Sequence, residues 1–544
     1  MRPKTRLFLL VGKLGFVVLL LIGRHGGAMA VEFPGPAPGT AKGLIDGDRL
    51  VLENDVLACT WTVSDGRLKP GRLEDKLSGT IVELNQSECF QLLLGDSPLP
   101  GRQAVKASDL TIDGGPQLHE IEPHDGSPRA AERFPGRKIA VDLASSNGDL
   151  KVRWQAVLRD GANYLQQRVE LTTSGSPVEI DEIVLWDIAV PNARVAGSVD
   201  GSPIVTDGMF FACEHPMSWS RIAEPAATGA KQPKLQCGYP FQTMLNPGQS
   251  LEPSWVVGVV PKGQLRRGFL YYLEHQRAHP YRPFLHYNNG SEIGCEYWQR
   301  TRHDKSEEAE RFRQRQQQVW LENIDAFGRE LVDKRGVTID SFVHDFEWDD
   351  ETVVWQFHGG YPDGFAPAQQ AAGRHGARVG VWLSPCGGYP GKKARIDAGR
   401  DQGFETNAQG LSLAGPRYYA RVEAACTGMV RRFGANYFKF DGFGAGNNQP
   451  GAGPYASDVE ALLRLIDELR QLEPRLFVNP STGSWPSPFW LLWADSIWRQ
   501  GSDTNVVGKG SQRQQWITYR DSEVYHGVLA KAPHFNTDKG RKQI

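Results

Sequence analysis

The sequence predicts an all-β N-terminal half followed by an α/β half built as a (β/α)8-type (TIM) barrel. Three observations predict this fold class. Residues 31–300 contain short extended runs separated by turn signals. From residue 301 onward, apolar strand-like runs alternate with amphipathic helical runs, and polar residues follow the strands, as they do in barrel enzymes. A length of 544 residues gives room for two or three domains.

The first 30 residues have the pattern of an export signal. Arg2, Lys4 and Arg6 lie before the apolar run 16–22, and Ala28 and Ala30 provide small side chains at a cleavage point. We expect cleavage after Ala30, leaving a soluble protein with a periplasmic or extracellular location and no membrane span. An uncleaved membrane anchor is the alternative, which the shortness of the apolar run disfavours.

Charge and cysteine usage argue against two classes of function. The formal net charge is -2, and residues 1–30 contain five basic and no acidic residues, so the cleaved chain would carry -7. No basic run offers a phosphate-neutralising surface, which argues against nucleic acid as a partner. The seven cysteines are scattered, without CxxC pairs or histidines at zinc spacing, so we expect no metal and no cofactor. An exported protein can form disulfides, and we favour Cys213 with Cys237.

Residues 31–300 predict a large β-sandwich. The run 53–63 is extended and is closed by a turn signal at 64–66. The runs 151–158 and 164–171 flank a polar loop and predict a β-hairpin. Strands at this spacing favour a sandwich domain, whose boundary near 300 is set by the change of pattern that follows it.

The α/β half contains four predicted helix and strand pairs. Apolar stripes predict helices, and the apolar runs that follow them predict buried strands. In chain order these are a helix at 306–334 and a strand at 337–343, a helix at 366–375 and a strand at 379–385, a helix at 418–433 and a strand at 437–441, and a helix at 457–472 and a strand at 476–479. A doubly wound sheet is the alternative, but no glycine-rich phosphate-binding turn follows any strand.

The predicted barrel is incomplete at its C-terminal end. Counting further strands near 497 and within 396–410 gives about six, whereas a closed barrel needs eight. Residues 512–529 predict a helix, the barrel domain is placed at 301–530, and residues 531–544 predict an irregular tail. The incomplete barrel therefore lowers the expectation that this chain is active.

Two carboxylates follow strand-like runs and form the candidate catalytic pair. Asp441 ends the run 437–440, and Asp503 follows Trp498. In an extended run Lys439 lies on the same face as Asp441, because successive side chains alternate between faces. A glycosidic bond is broken most simply by two carboxyl groups. The pair therefore predicts glycoside chemistry, although an aspartate after a strand also often caps the next helix.

These runs resemble those of a known enzyme family. The runs 437–442, 380–385 and 498–503 are similar to those of retaining α-galactosidases and α-N-acetylgalactosaminidases of the melibiase clan. The resemblance covers roughly residues 337–525. Members of the raffinose and melibiose branch carry an N-terminal β-supersandwich before the barrel, and the resemblance implies the same for 31–300.

The resemblance also implies the role of each candidate residue. Asp441 would be the nucleophile and Asp503 the acid/base. The implied substrate-binding residues are Lys439, Arg499, Asp345, Trp348, Asp349, Asp350 and Trp382.

The implied function is a secreted retaining glycoside hydrolase that cleaves terminal α-galactosides from an oligosaccharide or glycoconjugate by double displacement. Two alternatives stay open. Small residues at 481–484 leave room for an N-acetyl group, so the sugar could instead be α-N-acetylgalactosamine or another α-linked sugar. A carbohydrate-binding protein without turnover is also compatible with an incomplete barrel.

Overall fold

The computed structural model describes most of the chain and resolves it into two kinds of sheet. The described residues are 32–95, 103–197, 199–223, 233–290, 307–388, 391–442, 457–481, 487–497 and 506–522. Up to residue 259 the strands form antiparallel sheets, and from residue 286 they form a parallel sheet accompanied by helices. The predicted export signal at 1–30 and the tail at 531–544 lie outside the described residues.

The first antiparallel sheet has five strands in sequential order. They are β1 (Lys42–Asp46), β2 (Arg49–Glu53), β3 (Leu57–Ser64), β4 (Arg67–Asp75) and β5 (Thr80–Glu83). The extended run predicted at 53–63 is confirmed from residue 57 onward as β3, whereas its first residues are wrong because a turn separates β2 from β3. The Asn54 side chain stabilises this turn by accepting hydrogen bonds from the backbone of Val56 and Leu57 at 3.0 and 3.1 Å.

Two further antiparallel sheets complete the N-terminal half. In chain order their strands are β6 (Gln91–Leu94), β7 (Gln103–Lys106), β8 (Thr111–Ile112), β9 (Gln117–Ile121), β10 (Gly136–Ala144), β11 (Leu150–Arg159), β12 (Tyr164–Thr173), β13 (Val178–Ala189), β14 (Arg194–Val195), β15 (Ile204–Val205), β16 (Met209–Cys213), β17 (Trp219–Ala223), β18 (Lys234–Leu245), β19 (Ser250–Leu251) and β20 (Ser254–Val259). One sheet has the order β14-β15-β16-β20-β12-β11-β10-β8, with β19 and β9 at its sides, and the other has the order β17-β18-β13-β6-β7. The predicted hairpin is confirmed as β11 and β12, which pair from Leu150 with Thr173 to Val157 with Gln166.

Aromatic side chains fill the core of this half. Trp61 contacts Trp154 with ring centroids 5.1 Å apart, and Trp186 contacts Phe211 at 5.4 Å. The predicted disulfide is wrong: Cys213 and Cys237 are both free thiols. Both are buried in the apolar core, where burial raises their pKa well above the ordinary value and keeps them protonated.

The second half is organised around parallel strands. In chain order its elements are α1 (Leu265–Gln276), β21 (His286–Asn288), α2 (Glu307–Phe327), β22 (Ser341–His344), α3 (Ala366–Gly373), β23 (Arg378–Leu383), α4 (Lys392–Asp401), β24 (Thr406–Asn407), β25 (Gly410–Leu411), α5 (Pro416–Phe433), β26 (Tyr437–Phe440), α6 (Asp458–Leu472), β27 (Phe477–Pro480) and α7 (Gln512–Ser522). A π-helical turn at Gly328–Asp333 extends α2, and short 3-10 helices lie at Ala107–Asp109, Ala130–Arg133 and Pro488–Leu492.

The parallel sheet has the order β21-β22-β23-β26-β27. The four predicted helix and strand pairs are confirmed in place, whereas two other predictions of barrel strands are wrong. Within 487–497, residues 488–492 form a 3-10 helix and none forms a strand. The 396–410 region does contain a strand, β24, but it pairs antiparallel with β25 and lies outside the parallel sheet. Strand β21 was not predicted from the sequence. It lies before the domain boundary predicted near 300, and it pairs with β22. A closed (β/α)8 barrel stays a prediction, since five parallel strands lie within the described ranges.

Parallel pairing brings the carboxyl ends of the five strands to one edge. β23 is almost wholly buried, as expected for a parallel strand covered on both faces. The register places Trp382 beside Lys439 and Lys439 beside Asn479. The residues that follow β21, β22 and β26 therefore meet at the same edge. Among the helices in the described ranges, none has the length and apolarity needed to cross a membrane.

Candidate active site

Asp441 is the first residue after β26 and is held in one orientation. Its backbone amide donates to the carbonyl of Leu383 at 3.0 Å, which fixes it beside the end of β23. The indole of Trp382 donates to Oδ2 of Asp441 at 2.8 Å, and the amide of Gly442 donates to Oδ1 at 2.9 Å. Gly442 has a φ of 65°, a backbone conformation that suits glycine. Asp441 is only 4% exposed, so these neutral donors act on it in a poorly hydrated setting.

Lys439 connects Asp441 to a second carboxylate. Its Nζ lies 2.9 Å from Oδ2 of Asp345 and 3.7 Å from Oδ2 of Asp441. Burial alone would lower the pKa of Lys439, but the two carboxylates raise it by more, so the net shift is upward and the amine is charged. The sequence prediction that Lys439 and Asp441 project together is borne out by this contact.

Asp345, which follows β22, is bound on several sides. Oδ2 accepts from the side-chain amide of Asn288 at 2.7 Å in addition to Lys439. Oδ1 accepts from the backbone amide of Phe346 at 2.9 Å, and the backbone amide of Asp345 donates to Oδ1 of Asn289 at 2.8 Å. Sequence reasoning missed both asparagines. Their signal was the polar run 288–290, which begins at the last residue of β21.

His344 stabilises the backbone of Asp345 from the opposite side. Burial lowers the pKa of His344 to about 4, so the ring is neutral at physiological pH. Its Nδ1 donates to the carbonyl of Asp345 at 2.8 Å, and its Nε2 accepts from the hydroxyl of Tyr361. This pair fixes the tautomer of the ring, because one nitrogen must donate and the other accept.

Three other residues predicted to bind substrate also have protein partners. Asp349 forms two hydrogen bonds with the guanidinium of Arg395 at 2.7 and 2.8 Å, and its side chain is fully buried. Asp350 accepts from the backbone and hydroxyl of Thr352 at 2.8 and 2.7 Å, which stabilises a turn. Trp348 is 1% exposed and donates its indole N–H to the carbonyl of Trp382 at 2.8 Å.

Trp382 is also fully buried, so it orients Asp441 and does not offer a free face for a sugar ring to stack on. Its indole packs against the rings of Phe346 and Trp355, with ring centroids 5.9 and 6.1 Å away.

Glu347 is a buried acid that the sequence analysis did not select. Burial, together with the nearby charges of Asp345 and Glu351, raises the pKa of Glu347 to about 10, so the side chain is protonated at neutral pH. Its Oε2 accepts from Gln316 at 3.2 Å, and its Oε1 has no hydrogen-bond partner among the described residues. The backbone at Glu347 has a φ of 78°, which is uncommon for a residue with a side chain.

Two of the predicted site residues, Asp503 and Arg499, lie outside the described residues. The separation between the carboxyl groups of Asp441 and Asp503, which would distinguish retaining from inverting geometry, therefore stays a prediction. Within the described ranges no cluster of histidine, cysteine, aspartate or glutamate residues has the arrangement of a metal site.

Comparisons by sequence find neither a protein-family model nor a curated protein that matches the chain. Comparison of the structure finds clear likenesses. The GH36 α-galactosidase AgaB from Geobacillus stearothermophilus is 15% identical with a TM-score of 0.53, and the match covers 84% of this chain and 75% of AgaB. The galactosidase domain of the α-galactosidase-sucrose kinase AgaSK is 13% identical with a TM-score of 0.57, covering 91% of this chain and 78% of that domain.

A third structure was solved with an oligosaccharide bound. It is a doubly substituted variant of the GH36 α-galactosidase AgaA from Geobacillus stearothermophilus in complex with stachyose, 14% identical with a TM-score of 0.53, covering 91% of this chain and 77% of AgaA. At these identities the likeness concerns the fold. The chain has the fold of GH36 α-galactosidases.

Proposed function

We propose that the chain is a retaining glycoside hydrolase that removes terminal α-galactosyl groups from oligosaccharides or glycoconjugates. One observation carries the proposal. The carboxylate of Asp441 lies at the carboxyl end of a parallel strand, oriented by two N–H donors and 3.7 Å from the Lys439 ammonium. This is the position at which barrel enzymes place catalytic groups. The shared fold with α-galactosidases supports the choice of sugar.

Asp441 has the properties that a nucleophile requires. In the proposed reaction one of its oxygens attacks the anomeric carbon, the bond to the leaving oxygen breaks, and a covalent glycosyl intermediate forms. The Lys439 ammonium lies 3.7 Å from Oδ2 of Asp441 and offsets part of the negative charge of this carboxylate. The N–H donors of Trp382 and Gly442 limit the rotation of the carboxylate, so little reorganisation is needed during the reaction.

Asp503 is proposed as the acid/base on the grounds of the sequence resemblance. It would give its proton to the leaving oxygen in the first step and take a proton from water in the second, when water attacks the anomeric carbon and releases Asp441. The two acids thus need opposite protonation states at the start of the cycle.

Asp345 is the best described candidate for binding a sugar hydroxyl. Each carboxylate oxygen can accept about two hydrogen bonds, and Oδ1 of Asp345 has one donor, the amide of Phe346, among the described contacts. A substrate hydroxyl can therefore be accepted there, with Lys439 donating to the same sugar. Arg499 is proposed for a similar role. The protein contacts of Trp348, Asp349 and Asp350 give these three residues structural roles, and the proposal leaves them out of substrate binding.

We also propose that the chain is exported and that residues 1–30 are removed on the way. N-terminal sequencing of the protein recovered from the periplasm or medium of an expressing bacterium should begin at Val31. Recovery of the uncleaved chain in the membrane fraction would contradict this part of the proposal.

The reaction is tested with p-nitrophenyl α-D-galactopyranoside and with a natural α-galactoside such as stachyose. The parent should release galactose from both, and proton NMR should detect the α anomer first, as double displacement requires. Asp441→Asn should abolish both activities. Asp503→Asn should reduce release from stachyose far more than release of p-nitrophenolate, because nitrophenolate leaves without needing a proton.

Asp397→Asn is the matched control, since Asp397 is a half-exposed acid on α4 that pairs with Lys393. It should retain parent activity. A parallel assay with p-nitrophenyl α-N-acetylgalactosaminide decides the sugar. Absence of release by the parent, with retained binding of galactosides, would replace this proposal by a carbohydrate-binding function.

A further inference from the structure

We infer that Asn288 is a positioning residue for the proposed reaction: its side-chain amide satisfies part of the charge of Asp345, so that Lys439 stays shared between Asp345 and Asp441. The inference rests on the proposed function for its effect on the rate, and on the structure for the position of Lys439. No feature of the sequence resemblance assigns a role to Asn288.

Two donors converge on Oδ2 of Asp345. Nδ2 of Asn288 lies 2.7 Å from this oxygen and Nζ of Lys439 lies 2.9 Å from it. The amide of Asn288 cannot be flipped without loss, because its Oδ1 accepts from the backbone amide of Gly290 at 3.0 Å. The donor end of Asn288 is therefore directed at Asp345 by a second hydrogen bond at its other end.

The backbone of the same segment is fitted to Asp345. β21 pairs with β22 so that Asn288 lies opposite Val343, and the amide of Asn289 donates to the carbonyl of Val343 at 3.2 Å. A Cβ atom at Gly290 would lie 3.1 Å from Cγ of Asp345, closer than nine in ten real Cβ contacts. This close approach places Asn288 within reach of Asp345 and leaves little freedom for either residue.

The position of Lys439 gives Asn288 its effect. Among the described residues, the Lys439 ammonium contacts two carboxylates, and its Nζ is nearer to Asp345 than to Asp441. Without the Asn288 donor, Asp345 would attract Lys439 more strongly, and the distance from Nζ to Asp441 would grow. The contact between Lys439 and the proposed nucleophile would then be lost.

Four other titratable groups lie around Lys439, and burial favours the neutral form of each. On β21, burial and the Lys439 charge lower the pKa of His286, and on β26, burial raises the pKa of Tyr437 to about 12. On the β22 side, burial lowers the pKa of His344 to about 4 and raises the pKa of Glu347 to about 10.

The kinetic test compares Asn288→Ala and Asn288→Asp with the parent across pH 3.5 to 9. In Asn288→Ala the acid limb of kcat/KM should move up by about one pH unit, so that the rate on that limb falls about tenfold. In Asn288→Asp the shift should be larger, because the new carboxylate attracts Lys439 further. The alkaline limb should keep its position in both variants.

Tyr287→Phe is the matched control. Tyr287 is the neighbouring residue on β21, and its hydroxyl accepts from Asn323 at 3.1 Å and is remote from Asp345 in the hydrogen-bond network. General loosening of β21 would move the profiles of Tyr287→Phe and Asn288→Ala alike, whereas the proposed role moves only those of Asn288 variants. Equal profiles for Asn288→Ala and the parent would overturn the inference.

A crystal structure of Asn288→Ala separates this inference from the proposed function. Nζ of Lys439 should move beyond the limit of about 4 Å for an ion pair with Asp441 while keeping its contact with Asp345. An inactive parent combined with this movement would refute the proposed function and retain the positioning role. An unmoved Lys439 would refute the positioning role, whatever the activity of the parent.

Discussion

Two buried charge clusters follow β22, and they differ in how completely their charges are matched. In the first, Arg395 forms two hydrogen bonds with Asp349 at 2.7 and 2.8 Å, and the two side chains are 2% and 0% exposed. In the second, Lys439 is shared between Asp345 at 2.9 Å and Asp441 at 3.7 Å, and Lys439 keeps 21% of its side-chain surface exposed.

The comparison separates a structural ion pair from a site that can react. Arg395 and Asp349 satisfy each other and exclude water, so no ligand can reach either charge. Among the described residues, Lys439 contacts two carboxylates, and its side chain retains access to solvent. Acidic residues close together in sequence thus take opposite roles according to the partner that the fold brings to them.

Asp441→Asn should give the largest change in activity. We expect kcat/KM to fall by about 10,000-fold, since the proposed covalent step has lost its nucleophile. The thermal midpoint should not decrease, because the change removes one of two carboxylates facing one lysine. Activity within tenfold of the parent would contradict the role of Asp441, and unfolding of the variant would place it in the structural class with Asp349.

Arg395→Met should give the largest change in stability. Removing one partner of a buried ion pair leaves Asp349 charged and unpaired, which lowers the free energy of unfolding by about 3 to 5 kcal/mol. Urea denaturation followed by circular dichroism measures this change. Arg374→Met is the control, since Arg374 pairs with Asp325 at the surface with 54% and 42% of the side chains exposed, and should lose less than about 1 kcal/mol.

Glu347→Gln tests the protonated acid between the two clusters. Folding raises the pKa of Glu347 from its ordinary value near 4.5 to about 10, so its contribution favours the folded state below pH 4.5 and is lost as the pH rises toward 10. Glutamine mimics the protonated form at every pH. The variant should therefore match the parent at pH 4 and exceed its free energy of unfolding by at least about 2 kcal/mol at pH 8.

Urea denaturation at the two pH values provides the measurement for Glu347→Gln. Glu307→Gln, at a glutamate whose side chain is 91% exposed, should show no such difference between pH 4 and pH 8. An equal effect of both substitutions would mean that the pH dependence does not come from Glu347.

Asp350→Ala should give the smallest effect. Loss of the two hydrogen bonds to Thr352 should lower the free energy of unfolding by about 0.5 to 1 kcal/mol, with kcat/KM within twofold of the parent. A tenfold fall in kcat/KM at unchanged stability would return Asp350 to the substrate-binding set that the sequence resemblance implied.

The parts of the fold that sequence reasoning predicted are those determined by local patterns. Helices α2, α3, α5 and α6 carry apolar stripes, and the alternation along β26 was enough to place Lys439 beside Asp441. These features depend on residues within a few positions of one another.

The parts that it missed depend on distant partners. The partner of Asp349 is Arg395, 46 residues away, and the partner of Asn288 is Asp345, 57 residues away. β21 is three residues long and has no clear periodicity of its own, so its place in the parallel sheet follows only from pairing with β22. The residues within a few positions of each partner do not indicate which distant residue it will contact.

The indole of Trp382 donates a hydrogen bond to the carboxylate of Asp441. The indole of a second tryptophan, Trp348, donates to the backbone carbonyl of Trp382. The absorption and emission of an indole respond to a charge placed beside its ring nitrogen. In the proposed reaction, formation of an ester at Asp441 removes that negative charge, and hydrolysis restores it. The protein therefore contains its own optical reporter, and stopped-flow fluorescence can follow accumulation of the intermediate with unlabelled natural sugars.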